Sequence, residues 1–394
     1  SCHSRQSLKI DMKIPLIRPF ITSDIKRRVN DVLDSGYLTE GPVTRQFEDA
    51  IKNYIGCRFA LAVCNCTVGL ELALRTLQIG PGDEVIVPDY TYPATASVIE
   101  IVGAKIVIVD VDPASMLIDY DMVEKAITPR TKAIIPVSIF GNPLDYSRLW
   151  EIKKKYDLHL IEDAACSIGA VYDGSRVGNL ADISVFSFHP RKFITTGEGG
   201  MVTTNNQQWA EWMASYKHFG MRSHDSRSRS QFETIGTNFK LSNILAAIGL
   251  EQMKQIDMLL SRRNRIAANY FKYFDKTPGI AYPKLTPKGS HSWQSYCIFT
   301  AQRDQIINSL RKKEIETQIG TFALHMHKAF NQNSNCRIVG DMSGSRYAFD
   351  HCLTLPLYHD MTEAEQQYVV SELLKCLPKS NVNRSKPNQS IQTI

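Results

Sequence analysis

The feature that most constrains this chain is an alternation, through its first two thirds, between short β-branched apolar runs and stretches of helical periodicity. Runs of the first kind stand at 84–87, 105–109, 133–137, 158–161, 183–186 and 201–203, with helix-like stretches at 68–77, 122–127 and 146–156 between several of them. Strand followed by helix, repeated, predicts an α/β fold with a mostly parallel central sheet flanked by helices. In such sheets ligands gather beyond the carboxyl ends of the strands, so the residues just after these runs matter most. From about Leu241 the pattern changes to two helix-like stretches, 242–260 and 262–274, followed by short strand signals (296–300) among helices (303–312, 363–376). We expect a large domain with an N-terminal arm over residues 1–255, a smaller C-terminal α+β domain over 256–378, and a disordered polar tail over 379–394. No internal repeat is evident.

Composition narrows the function. A formal net charge of +6 over 394 residues is mild, and the basic residues are scattered, so no nucleic-acid stripe or membrane-surface patch stands out. The nine cysteines include no CxxC pair, and Cys64-Asn65-Cys66 has no histidine cluster beside it, so neither a disulfide framework nor a metal site is expected. The apolar stretch 96–111 is broken by Glu100 and Lys105, which argues against a membrane span. Ser1-Cys2-His3-Ser4-Arg5 has no apolar signal core, and the expected location is the cytoplasm.

Four segments are candidates for chemistry. Phe186-Ser187-Phe188-His189-Pro190-Arg191-Lys192 follows a strand and runs into Gly197-Glu198-Gly199-Gly200. A lysine held still beside glycine-rich backbone can attack a carbonyl, and the glycines let a bulky group approach. Alone, Lys192 reads as a surface lysine. Asp163 ends the run at 158–161, where a carboxylate can pair with a protonated heterocyclic nitrogen; alone it reads as a helix cap or ion-pair partner. Asn65-Cys66-Thr67 opens an amphipathic helix whose free N–H groups suit a phosphate, or which Asn and Thr simply cap. Tyr92, after the run at 84–87, offers a ring to stack on a flat group, or to pack in a core.

Taken together, these segments resemble the DegT/StrS-type sugar aminotransferases of the aspartate-aminotransferase fold (fold type I). The resemblance runs from Pro15-Leu16-Ile17-Arg18-Pro19 to Leu355-Pro356-Leu357 and includes Gly80-Pro81-Gly82-Asp83-Glu84 and Ile127-Thr128-Pro129-Arg130. It implies pyridoxal 5'-phosphate as cofactor, with pyridoxamine phosphate as its other form, and a large domain that binds it. Lys192 matches the Schiff-base lysine, Asp163 the partner of the pyridine nitrogen, and Tyr92 the stacking aromatic. Cys66, Thr67 and Ser187 match phosphate-binding positions. Asn238, in Gly236-Thr237-Asn238-Phe239-Lys240, matches a residue that reaches the phosphate of a neighbouring subunit, which implies a homodimer with shared active sites. Cys166 departs from the family, which usually has Gln or His there, touching the cofactor's phenolic oxygen.

The activity so implied is transfer of an amino group from an amino acid, glutamate in this reading, to a keto sugar linked to a nucleoside diphosphate. Arg18, Arg191 and Lys240 are candidates for its pyrophosphate, and His189 and His325 for further substrate contacts; each is as readily an ordinary surface or loop residue. The alternatives are a cyclitol ketone aminotransferase, a cofactor-dependent sugar dehydratase and a non-catalytic cofactor-binding regulator. Retention of Lys192 argues against the dehydratase, whose relatives have His at that position. Retention of Lys192, Asp163 and Asn238 together argues against the regulator.

Overall fold

The computed structural model describes residues 13–222 and 230–377. The expectations placed on the first five residues and on the tail 379–394 lie outside these. An eight-stranded sheet is built from β1 (Phe59–Val63), β2 (Glu84–Pro88), β3 (Lys105–Val109), β4 (Thr131–Ile134), β5 (His159–Asp163), β6 (Ile183–Ser187), β7 (Gly200–Thr204) and β8 (Cys336–Val339). Its order is β1-β7-β6-β5-β4-β2-β3-β8. All neighbouring pairs from β6 across to β8 are parallel, while β7 runs antiparallel to both β6 and β1. This is the mixed α/β architecture that the alternation predicted.

Period-two burial divides the strands between two cores. Ile86, Val107, Val109, Ile134 and Leu160 face one cluster, which helices Pro42–Ile55, Tyr146–Tyr156 and Asn243–Met253 cover. Val85, Val87, Ile106, Ile108 and Ile161 face the other, under helices Cys66–Thr76, Ala94–Ile101 and Gln207–Tyr216. Helix Cys66–Thr76 lies flush on the sheet because Gly69 has no side chain: a Cβ there would sit 2.6 Å from Val185 Cγ1. A third cluster joins helix Ile256–Tyr273 to a three-stranded antiparallel sheet of Tyr296–Phe299, Cys352–Leu355 and Gln318–Ile319, and to helix Glu363–Cys376.

Strands β1, β2, β3, β5 and β6 all end at one edge of the large sheet. Asp163 and Ser187 are the last residues of β5 and β6, Asp89 and Asp110 follow β2 and β3, and Asn65-Cys66 follows β1. Gly200, opening the antiparallel β7, is paired with Val63 on one side and Ser187 on the other. The chemistry-bearing segments, up to 134 positions apart in sequence from Cys66 to Gly200, thereby meet at one rim.

Candidate active site

Lys192 stands in the loop between β6 and β7, its backbone N–H donating to the His189 carbonyl at 2.8 Å. Its Nζ lies 3.2 Å from Cys166 Sγ. Burial alone would lower this ammonium, but Cys166, Asp163 and Cys66 outweigh it and hold it above the usual lysine value. Asp163, buried at the end of β5, accepts from Thr95 Oγ1 at 2.7 Å and from the Ala165 N–H at 3.1 Å. Thr95 is in turn 2.9 Å from Thr91 Oγ1. Burial pushes the Asp163 carboxyl up, against the opposing pull of Thr95, Ala165 and Lys192. Thr91 and Thr95 went unassigned by sequence reasoning. Thr91 lies in a two-residue strand and Thr95 in the first turn of helix Ala94–Ile101, so no single local pattern marks them as a pair.

Helix Cys66–Thr76 begins with Asn65 as its cap, accepting the Val68 N–H through its side chain. Cys66, Thr67 and Ser187 are each only partly buried. Cys66 Sγ lies 3.8 Å from the Val185 carbonyl, which brings the helix start against β6. Gly200 makes that approach possible: a Cβ there would come within 2.8–2.9 Å of the Asn65–Cys66 backbone. The site therefore offers a helix amino terminus with hydroxyl and thiol groups around it at one end. At the other stands a buried carboxylate whose side-chain and backbone hydrogen bonds come from neutral donors. That pairing fits pyridoxal 5'-phosphate, an anion joined to a ring nitrogen able to carry a proton.

The remaining expected residues separate clearly. Tyr92 is 66% exposed and tilted against Phe322, 6.2 Å between centroids, so it is not a core aromatic. His189 is exposed and its Nδ1 accepts the Arg191 N–H at 3.2 Å, which gives it a part in shaping the lysine loop. Arg191 reaches Gln318 Oε1 at 3.3 Å. Asn238 is exposed and accepts from Lys240 Nζ at 2.7 Å, while the next residue, Phe239, accepts the Cys64 N–H at 2.9 Å, two residues short of Cys66. Burial, and Lys217 nearby, lower the Lys240 ammonium against the pull of Glu40. His325 is fixed to the buried Asp89, with Nδ1 2.6 Å from Oδ2, and its Nε2 lies 3.4 Å from Arg346 Nη2. Arg18 faces Asp360 at 3.4 Å and Glu365 at 3.9 Å and stacks on Tyr358, so carboxylates already neutralise it. Among the described residues no cluster of metal-ligating side chains occurs, and no helix is long and apolar enough to cross a membrane.

Comparison with known proteins shows the family. Residues 19–374 match the model of the DegT/DnrJ/EryC1/StrS aminotransferase family. An uncharacterised protein of Methanocaldococcus jannaschii is 35% identical over 380 residues, covering 93% of this chain and 98% of that one. The spore coat polysaccharide biosynthesis protein SpsC of Bacillus subtilis is 31% identical over 371 residues, covering 91% of this chain and 95% of that one. Spr1654 of Streptococcus pneumoniae, a sugar aminotransferase by assignment, superposes in its pyridoxamine-phosphate (PMP) form with a TM-score of 0.87 at 30% identity, over 92% of this chain and 98% of that one. The same protein is also known in a pyridoxal-phosphate form.

Proposed function

Because the chain belongs to the DegT/DnrJ/EryC1/StrS aminotransferase family and is a pyridoxal-phosphate-dependent enzyme, we propose that it aminates a keto sugar carried on a nucleoside diphosphate, with L-glutamate as the amino donor. The observation that carries this reading is the meeting, at one rim of the sheet, of Lys192, the buried Asp163 and the open start of helix Cys66–Thr76. When bound, pyridoxal 5'-phosphate supplies a carbonyl that captures primary amines and a ring that accepts the electron pair left at the donor's α-carbon.

The chain's own residues do the rest. With the cofactor bound, Lys192 Nζ would be the amine that holds its carbonyl carbon and, when free, the base for the donor's α-proton. In the cofactor-free chain its neighbours Cys166 and Asp163 favour the charged amine, which must shed that proton before it can act as a base. Asp163, oriented by Thr95 and the Ala165 N–H, would favour a proton on the ring nitrogen. The helix N–H groups with Cys66, Thr67 and Ser187 would hold the cofactor's phosphate, Tyr92 would stack on its ring, and Cys166 would offer it a weaker donor than an amide or imidazole does. The donor leaves as a keto acid before the acceptor enters, so kinetics are ping-pong.

For the acceptor, Arg191 and Lys240 are better placed than Arg18: each is hydrogen-bonded to a neutral side chain and keeps its charge for a pyrophosphate. His325, held by Asp89, takes a sugar hydroxyl, and His189 serves by shaping the loop. The relatives' involvement in polysaccharide and sugar chemistry supports the sugar class. Ile235, three residues before Asn238, is 97% exposed, and Phe232 and Tyr37 are exposed too, which supports a homodimer in which Asn238 completes the partner's phosphate site. All eight described cysteines are free, in keeping with a reducing cytoplasm. The test is incubation of the enzyme with [15N]glutamate and nucleotide-linked keto sugars. Heavy nitrogen in the sugar product supports the proposal; consumption of glutamate only with free keto acids or cyclitol ketones contradicts it.

A further inference from the structure

We infer that Gln294, His359 and Arg263 form a backing that fixes the main chain on both sides of Lys192, making them positioning residues for its amine. This rests on the reading of Lys192 as the cofactor's lysine. Gln294 Nε2 donates to the Arg191 carbonyl at 2.7 Å. On the other side, His359 Nε2 lies 2.6 Å from the Phe193 carbonyl. The residues before and after Lys192 are thus gripped by side chains that enter from 102 and 166 positions away in the sequence, counted from Lys192 to Gln294 and from Phe193 to His359.

Arg263 organises both grips. It is fully buried, donates through Nη1 to the carbonyls of Trp293 at 2.8 Å and Gln294 at 2.9 Å, and reaches His359 Nδ1 through Nε at 3.3 Å. Its guanidinium also lies 5.0 Å over the Phe193 ring, against which the His359 imidazole packs edge-on at 4.9 Å. An arginine has only donors, so His359 Nδ1 must accept, and the imidazole proton must sit on Nε2, facing the Phe193 carbonyl. Burial first, and Arg263 second, push His359 down to about 3, so this neutral donor persists across the physiological range. Among the described residues the hydrogen-bond partners of Arg263 are all neutral, and burial pushes its guanidinium down to about 9. A buried cation without a carboxylate is costly to keep. Its Nε and Nη1 donors are directed to the groups that support the lysine loop, while Nη2 is buried without a hydrogen-bond partner.

The mechanical consequence is a rigid base under a mobile side chain. An amine that first anchors a cofactor and then moves a proton must return to the same places at each turnover, and misplacement by about 1 Å costs on the order of 10²-fold in rate.

His359→Phe keeps the ring packing and removes the donor, while His359→Gln restores an N–H at a similar reach. In cofactor-free protein, His359→Phe should speed amide hydrogen exchange in residues 189–194 by about tenfold and leave the large sheet unchanged. In the holoenzyme it should lower kcat about tenfold with KM for both substrates within about twofold, and His359→Gln should recover most of both losses. If His359→Phe does not fold, Gln294→Leu is read in the same two ways from the Arg191 side. Unchanged exchange in 189–194, or equal losses in the Phe and Gln variants, overturns the inference. A Lys192→Ala enzyme with normal turnover removes the premise instead, and does so without touching the exchange result.

Discussion

Asp163 and His359 illustrate how burial sets the chemistry of single side chains in opposite directions. Burial raises the Asp163 carboxyl, against the hydrogen bonds from Thr95 and the Ala165 N–H and the charge of Lys192, and a protonated ring nitrogen would favour its ionised form further. Asp163→Ala should therefore retain fold and phosphate contacts yet lose on the order of 10²–10³-fold in kcat, as removal of one preorganised electrostatic partner does. Steady-state kinetics on the cofactor-loaded variant check this, and a loss under tenfold would contradict the role given to Asp163. His359 instead shifts down, from an ordinary 6.5 to about 3. As pH falls through 6.5 the unfolded chain takes up a proton that the folded chain refuses. The stability tied to this residue is therefore complete above pH 6.5 and is lost as pH falls towards 3. At pH 5 the loss is about 2 kcal/mol. Thermal unfolding at pH 7 and pH 5 should show a smaller drop in Tm for His359→Gln than for the parent; equal drops would show that His359 does not stay neutral. Lys192 and Asp163 stand out in the sequence through the resemblance their segments carry together, since each alone reads as an ordinary surface lysine or helix cap. The backing of Lys192 does not, since Gln294 and His359 reach it only through the tertiary fold.

At the scale of elements, legibility followed local signals. Helices Tyr146–Tyr156 and Glu363–Cys376 match their expected spans because each combines an apolar stripe with a side-chain cap, Asp145 in one and a Thr362–Glu365 capping box in the other. The expected helix 242–260 is instead the whole of one helix, Asn243–Met253, and the start of another, Ile256–Tyr273. Lys254 keeps right-handed helical dihedrals at the break, so neither Gly nor Pro marks it. The expected strand 133–137 ends at Ile134, ahead of Pro136. β1 and β8 were not foreseen. β1 is Phe-Ala-Leu-Ala-Val, low in β-branched residues, and β8 is a four-residue edge strand whose Arg337 pairs with the buried Glu84 at 2.9 Å. β8 also falls in the stretch expected to form the smaller domain, yet it adds to the large sheet. The junction of β7 with helix Cys66–Thr76 depends on Gly200. Gly200→Ala must push the Asn65–Cys66 backbone away, costing about 1–3 kcal/mol and displacing the phosphate end of the site. A weaker cofactor affinity together with a lower Tm for the cofactor-free protein is expected; unchanged affinity would separate the helix start from cofactor binding.

At the scale of the whole molecule, the proposal of shared sites makes Lys192 and Asn238 act in different subunits of the same site. Lys192→Ala and Asn238→Ala proteins, each inactive or weak alone, should regain activity when unfolded, mixed and refolded together. Random pairing then leaves one intact site in each mixed dimer, about a quarter of the wild-type sites. No regain on mixing would place both residues in one subunit's site. The central claim remains the one about Lys192, and one measurement meets it directly. Purified protein loaded with pyridoxal 5'-phosphate is reduced with borohydride, digested, and its peptides weighed, with a parallel sample exposed to glutamate before reduction. The account predicts the cofactor's mass on the peptide that contains Lys192, and its absence from that peptide after glutamate. The cofactor's mass on another lysine, or none on any, would contradict it.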